Sequence, residues 1–199
     1  MLQIGSLLVW LRRSRHSRGF GVQSPWAYRF IRYVVNEHYP YYAYEDLSRL
    51  YEGYPKQIQK LCRLYFRIAN YWQAEKALDY SNASASSGND DARLFGTFMK
   101  RGCNKLEVVP VRHADDFSSV RLMRLSVEGD YRPVFEKAVS LADDSTLIIV
   151  EQIKRDKESR AFWKSIVEDP RCISTFDLYY CGIIFFDKKR YKENYVVNF

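Results

Sequence analysis

The chain has 199 residues, of which 47% are hydrophobic and 16% aromatic. That is enough apolar material for one ordinary core and too little length for two full domains. The formal charge is +7, but residues 1–36 hold Arg12, Arg13, Arg15, Arg18, Arg29 and Arg32 and no acid, so the remainder is close to neutral. The four cysteines, Cys62, Cys103, Cys172 and Cys181, show neither a CxxC pair nor the spacing of a zinc site or a secreted disulfide framework, and a reduced, cytoplasmic setting is expected.

The opening MLQIGSLLVWLRRSR places its charges after the apolar run and lacks a small-residue cleavage site, unlike an export signal. The run from Ile4 to Leu11 is far shorter than the roughly 20 residues that span a bilayer. An amphipathic helix is expected. Its arginines fit either a solvated face or an anionic partner such as nucleic acid, whose binding weakens steeply with salt.

SPWAYRFIRYVVN follows, with Ser24 as cap, Pro25 in the first turn and Trp26, Phe30, Ile31 and Val34 at helical spacing. Pro40 interrupts, and a helix begins near Tyr44. Another, from about Lys56 to Tyr71, carries Ile58, Leu61, Leu64, Tyr65 and Ile68 on one stripe. The period then changes. KALDYS reads as a strand, NASASSGND as a small-residue loop and DARLFGTFMKRG as a helix closing at Gly102. KLEVVPV and RLMRLSVEG are strands around a polar loop near His113, YRPVFEKAVSLADD is a helix, STLIIVEQI a fully buried strand, and RDKESRAFWKSIVEDP a helix closed by Pro170. The final stretch, rich in β-branched and aromatic residues, reads as antiparallel strands turning near Cys181 and Gly182. The expectation is an α/β fold: a mostly parallel sheet flanked by helices, with an antiparallel C-terminal hairpin. Residues 1–71 form an N-terminal helical extension packed on a core of residues 72–199, the two making one compact unit.

GFGVQSPWAYRFIRYVV with PYYAYEDL near the start, and STLIIVEQI, AFWKSIVEDPR and STFDLYYCGIIFFDKKRYKENYVVNF near the end, resemble bacterial class I S-adenosylmethionine-dependent methyltransferases with an N-terminal helical extension. The resemblance covers about half the chain and implies a Rossmann-like sheet that binds S-adenosylmethionine over its carboxyl edge. In that family a first strand ending in an acid leads into a glycine-rich loop. Here Asp79 matches the acid, while Ser81 and Ala85 stand where glycines are expected, and a Cβ there obstructs close ligand approach. The ribose-binding acid of the second strand falls near Pro110, with Glu107 earlier. The stretch Val111–Leu122 is too short for the helix and strand that intervene in the family. Glu128 and Gly129 resemble an Asp-Gly pair at a strand end on the cofactor side, and Glu151 with Gln152 resembles an Asp-Asp pair on the substrate side.

Two carboxylates without an adjacent histidine make no metal site, and His16, His38 and His113 are scattered. NASASSGND lacks the Lys-Ser/Thr ending of a phosphate-binding loop. Three readings follow: a divergent S-adenosylmethionine-dependent methyltransferase whose acceptor the sequence does not name; a catalytically inactive methyltransferase-fold protein acting as a binding or regulatory module; and a nucleic-acid-directed protein using the basic arm. The exposed edge of the hairpin offers a homodimer surface.

Overall fold

The computed structural model describes residue 13, residues 21–81 and residues 90–199. The rest of the N-terminal basic arm and most of the loop after Tyr80, Ala85 included, lie outside the described residues.

Helix α1 spans Pro25–Phe30, with the Ser24 hydroxyl accepting from the Ala27 amide, and runs into a π-helical turn at Ile31–Val35. Helix α2 is Ala43–Ser48 and α3 is Lys56–Trp72. Strand β1 (Lys76–Tyr80) precedes α4 (Asp90–Gly102), β2 (Glu107–Val111) and β3 (Leu122–Leu125). Then come α5 (Tyr131–Leu141), β4 (Leu147–Glu151), α6 (Lys157–Glu168), β5 (Ser174–Asp177), β6 (Cys181–Phe185) and β7 (Glu193–Val196). Only a single 3-10 turn, Ala114–Asp116, separates β2 from β3.

The seven strands form one sheet in the order β2-β1-β3-β4-β6-β5-β7. Strands β2, β1, β3 and β4 are mutually parallel, and β6 runs antiparallel to both β4 and β5. The mixed α/β architecture is the one the sequence predicts. The final stretch departs from its reading in two respects. Strand β7 pairs parallel to β5, not antiparallel. The reversal also lies before Cys181, since Cys181 and Gly182 are inside β6. Gly182 is needed for packing instead: a Cβ there would sit 2.2 Å from the Trp163 ring.

Alternation along the strands divides the core between the sheet's two faces. Ala77, Leu122, Ile149, Ile183 and Phe185 pack against α1, α3 and α4, while Leu78, Met123, Leu125, Ile148 and Ile184 pack against α5 and α6. On the first face Phe30 and Trp26 meet Phe176 and Phe185, so the N-terminal helices share a core with the sheet. Helices α3 and α4 approach so closely that a Cβ on Gly102 would lie 2.1 Å from the Phe66 carbonyl oxygen. A glycine at that position therefore serves contact between backbones as well as ending the helix. All four cysteines are buried. No described helix is long and apolar enough to cross a membrane.

Candidate functional site

Every second residue of a strand faces the same side, so the parallel register brings three charged side chains together at the carboxyl edge. Asp79 on β1 lies opposite Arg124 on β3, and Glu151 ends the neighbouring β4. All three point toward α3 and α4. The Arg124 guanidinium donates from Nε to Asp79 Oδ1 at 2.7 Å and from Nη1 to Glu151 Oε2 at 2.7 Å, with Nη2 2.6 Å from Asp79 Oδ1. The other Glu151 oxygen, Oε1, accepts from the Tyr65 hydroxyl of α3 at 2.5 Å. Phe95 of α4 covers the guanidinium at 5.2 Å and meets the Tyr65 ring edge to face.

The cluster is withdrawn from water: Arg124 is 3% exposed and Glu151 5%. Burial works against the charge on Arg124, but the Glu151 and Asp79 carboxylates outweigh it and hold the guanidinium more firmly protonated than in water. Burial raises the Glu151 pKa above the ordinary carboxylate value, opposed by Arg124 and the Tyr65 hydrogen bond. The Tyr65 hydroxyl is pushed well above its usual range by burial and by Glu151. The Cys181 thiol, registered opposite Glu151, is raised for the same two reasons and stays unionised.

Outward of the cluster, Ser81, Glu128, Glu151 and Gln152 line a cavity of about 80 Å³ with Gln57 and Tyr180. It opens into a wider depression of about 420 Å³ with Lys154, Arg155 and Tyr179 on its walls. Glu128 faces Arg155 at 3.3 Å, and its carbonyl accepts from the Tyr80 hydroxyl. Gly129 takes a left-handed φ of 63° in the bend after β3. Gln152 and Tyr179 adopt left-handed φ of 56° and 74° without being glycine, at a cost of about 1 kcal/mol or more each. The Gln152 amide donates to the Tyr180 carbonyl, which fixes both turns at the mouth of the depression. Across it, Asp177 accepts from Arg13 at 2.9 Å and pairs with Lys154 at 2.7 Å.

Of the residues singled out in the sequence, Ser81, Glu128, Glu151 and Gln152 thus share one small cavity, while Asp79 is turned into the ion cluster. Pro110 is registered opposite Asp79, and Glu107 lies at the far end of its strand, opposite Lys76. No carboxylate of β2 reaches the carboxyl edge. The structure adds Arg124, Tyr65 and Phe95 to the site. The available signal was RLMRLS, a charged residue in the middle of a strand that is otherwise apolar. Among the described residues no group of three or more metal-ligating side chains occurs.

No family model matches the chain. The CRISPR system associated protein Csa5 of Thermoproteus tenax is 27% identical over 99 residues, 50% of this chain and 72% of that protein. The cofactor-bound Rv0187 from MTB is a structural neighbour with 14% identity and a TM-score of 0.41, over 72% of this chain and 89% of its own. The O-methyltransferase from Bacillus cereus, in complex with SAH, has 16% identity and a TM-score of 0.42, over 76% and 94%. Likenesses this distant carry no argument about a site. The strand order and register are themselves those of a mixed, Rossmann-like α/β sheet flanked by helices.

Proposed function

We propose that this chain is a methyltransferase-fold protein that has exchanged its cofactor cradle for a buried ion cluster, and that it acts as a binding or regulatory module instead of a methyl-transfer enzyme. The observation that carries this reading is the double engagement of Arg124 by Asp79 and Glu151. Asp79 is the acid that the family resemblance assigns to the cofactor, and here one of its two oxygens, Oδ1, is held by a guanidinium.

Three further observations support it. The cavity beside the cluster, about 80 Å³, has room for a few waters, and the wider depression of about 420 Å³ into which it opens is not lined by Asp79. Proline occupies the register position where a ribose-binding carboxylate is expected. A single 3-10 turn joins β2 to β3 where a helix and strand intervene in the family. The described residues at the strand ends do not fit S-adenosylmethionine.

The test is transfer of a labelled methyl group from S-adenosylmethionine to the components of a cell extract by the purified chain. The proposal expects no incorporation above a protein-free control, and turnover on any acceptor contradicts it.

A further inference from the structure

Helix α3 presents a second, unrelated arrangement on its outer face. Lys60, Arg63 and Arg67 stand at i, i+3 and i+7 and share one stripe, and the 17-residue helix contains no acid at all. Among the described residues, none of the three cations forms an ion pair within 4 Å. Arg67 is 6% exposed, yet its guanidinium meets only neutral acceptors: the carbonyls of Val34 at 2.6 Å and Val35 at 2.9 Å, and the Tyr44 hydroxyl. A buried charge without a counter-charge leaves an electrostatic demand that an anion can meet.

The stripe forms one wall of a cleft of about 650 Å³. The facing wall is aromatic: Tyr39, Tyr41 and Tyr44 touch edge to face in series, and Phe66 supports the last two from beneath. Phe199 lies under the Lys60 ammonium at 5.3 Å. Tyr42, at the rim, is 94% exposed. The Asn36 Nδ2, also in the cleft, is a buried donor with no acceptor among the described residues. Two acids are present. Glu37 is turned onto the amides of His38 and Tyr39, and Glu45 stands exposed on α2.

We propose that this cleft binds a nucleoside diphosphate or a closely similar ligand, with its phosphates along the α3 stripe and its planar ring against the tyrosine wall. A stripe seven residues long extends about 10 Å at 1.5 Å per residue, which suits two linked anionic groups better than a single carboxylate. Arginine and lysine together supply bidentate and point-charge contacts to phosphate oxygens, and exposed tyrosines supply faces on which any base can stack. The cleft volume lies in the usual range for small-ligand sites. The site is separate from the strand-end cluster and is independent of the function proposed above.

Calorimetric titration of the full chain with ADP, inorganic pyrophosphate and adenosine tests it. ADP is expected to bind about tenfold or more tightly than either fragment. Lys60→Met and Arg63→Met, both on the exposed face, are each expected to weaken ADP about tenfold; Lys60→Met leaves the melting temperature unchanged, whereas Arg63→Met also removes the donor to the Tyr51 hydroxyl and lowers it. Glu45→Gln removes an opposing charge and is expected to tighten binding, while Glu151→Gln leaves it unchanged. Absence of heat with ADP at about 1 mM, equal affinity for ADP and pyrophosphate, or indifference to both Lys60→Met and Arg63→Met overturns the proposal. So does loss of ADP binding in Glu151→Gln, which would place the nucleotide at the strand ends.

Discussion

Two buried arginines, one at each end of this molecule's chemistry, are held in opposite ways. Arg124 is clamped by Asp79 and Glu151, so its charge is neutralised within the fold. Arg67 is held by two backbone carbonyls and a phenol, and its charge is left over. The first arrangement neutralises its cation with two carboxylates, although Nη2 makes no hydrogen bond of its own. The second secures geometry while keeping a field directed into an open cleft. Both are served by α3, which sends the Tyr65 hydroxyl to one and the Lys60–Arg63–Arg67 stripe to the other.

The largest expected effect comes from breaking the closed arrangement. Arg124→Met leaves two carboxylates buried without a cation and is expected to cost about 3–5 kcal/mol in chemical denaturation. Arg67→Met leaves the Val34 and Val35 carbonyls without their donor but uncovers no opposite charge, so a smaller loss of about 1–3 kcal/mol is expected. Equal losses would dissolve the distinction between the two arginines. Tyr65→Phe removes one hydrogen bond to a carboxylate and leaves Glu151 held by Arg124 alone, with about 1.5–3 kcal/mol expected.

The smallest effect concerns pH. The Glu151 pKa is raised by burial above its ordinary value of 4.5, so its proton favours the folded state. That contribution is fully present below the unfolded value and is lost as pH rises through the folded one. Melting curves of Glu151→Gln against pH should therefore lack the part of this decline seen in the parent chain above pH 4.5. An unaltered slope would mean that Glu151 titrates as an ordinary carboxylate.

Much of the fold could be read from local pattern. The fully buried run LIIVE is β4, and the stripe through Ile58, Leu61, Leu64, Tyr65 and Ile68 is α3. The trimmed connection before β3 was legible as simple shortness. What escaped was long-range. Arg124 meets partners 45 and 27 residues away, and Tyr65 meets one 86 residues away, so no spacing along the chain announces them. Gly182 looked like a turn residue, although a tryptophan ring from α6 is what requires it. Parallel pairing of β7 with β5 depends on the path taken after β6, which alternation within a strand does not encode. The cationic stripe takes its meaning from the tyrosine wall that folds against it, which spacing along α3 does not encode.

If the strand-end cluster stands where the family this chain resembles holds its cofactor, neither S-adenosylmethionine nor its demethylated product binds. Calorimetric titration with both ligands should then give no binding heat at about 1 mM of either. Saturable binding of either one below about 100 µM, abolished by substitution of Asp79, would contradict that placement.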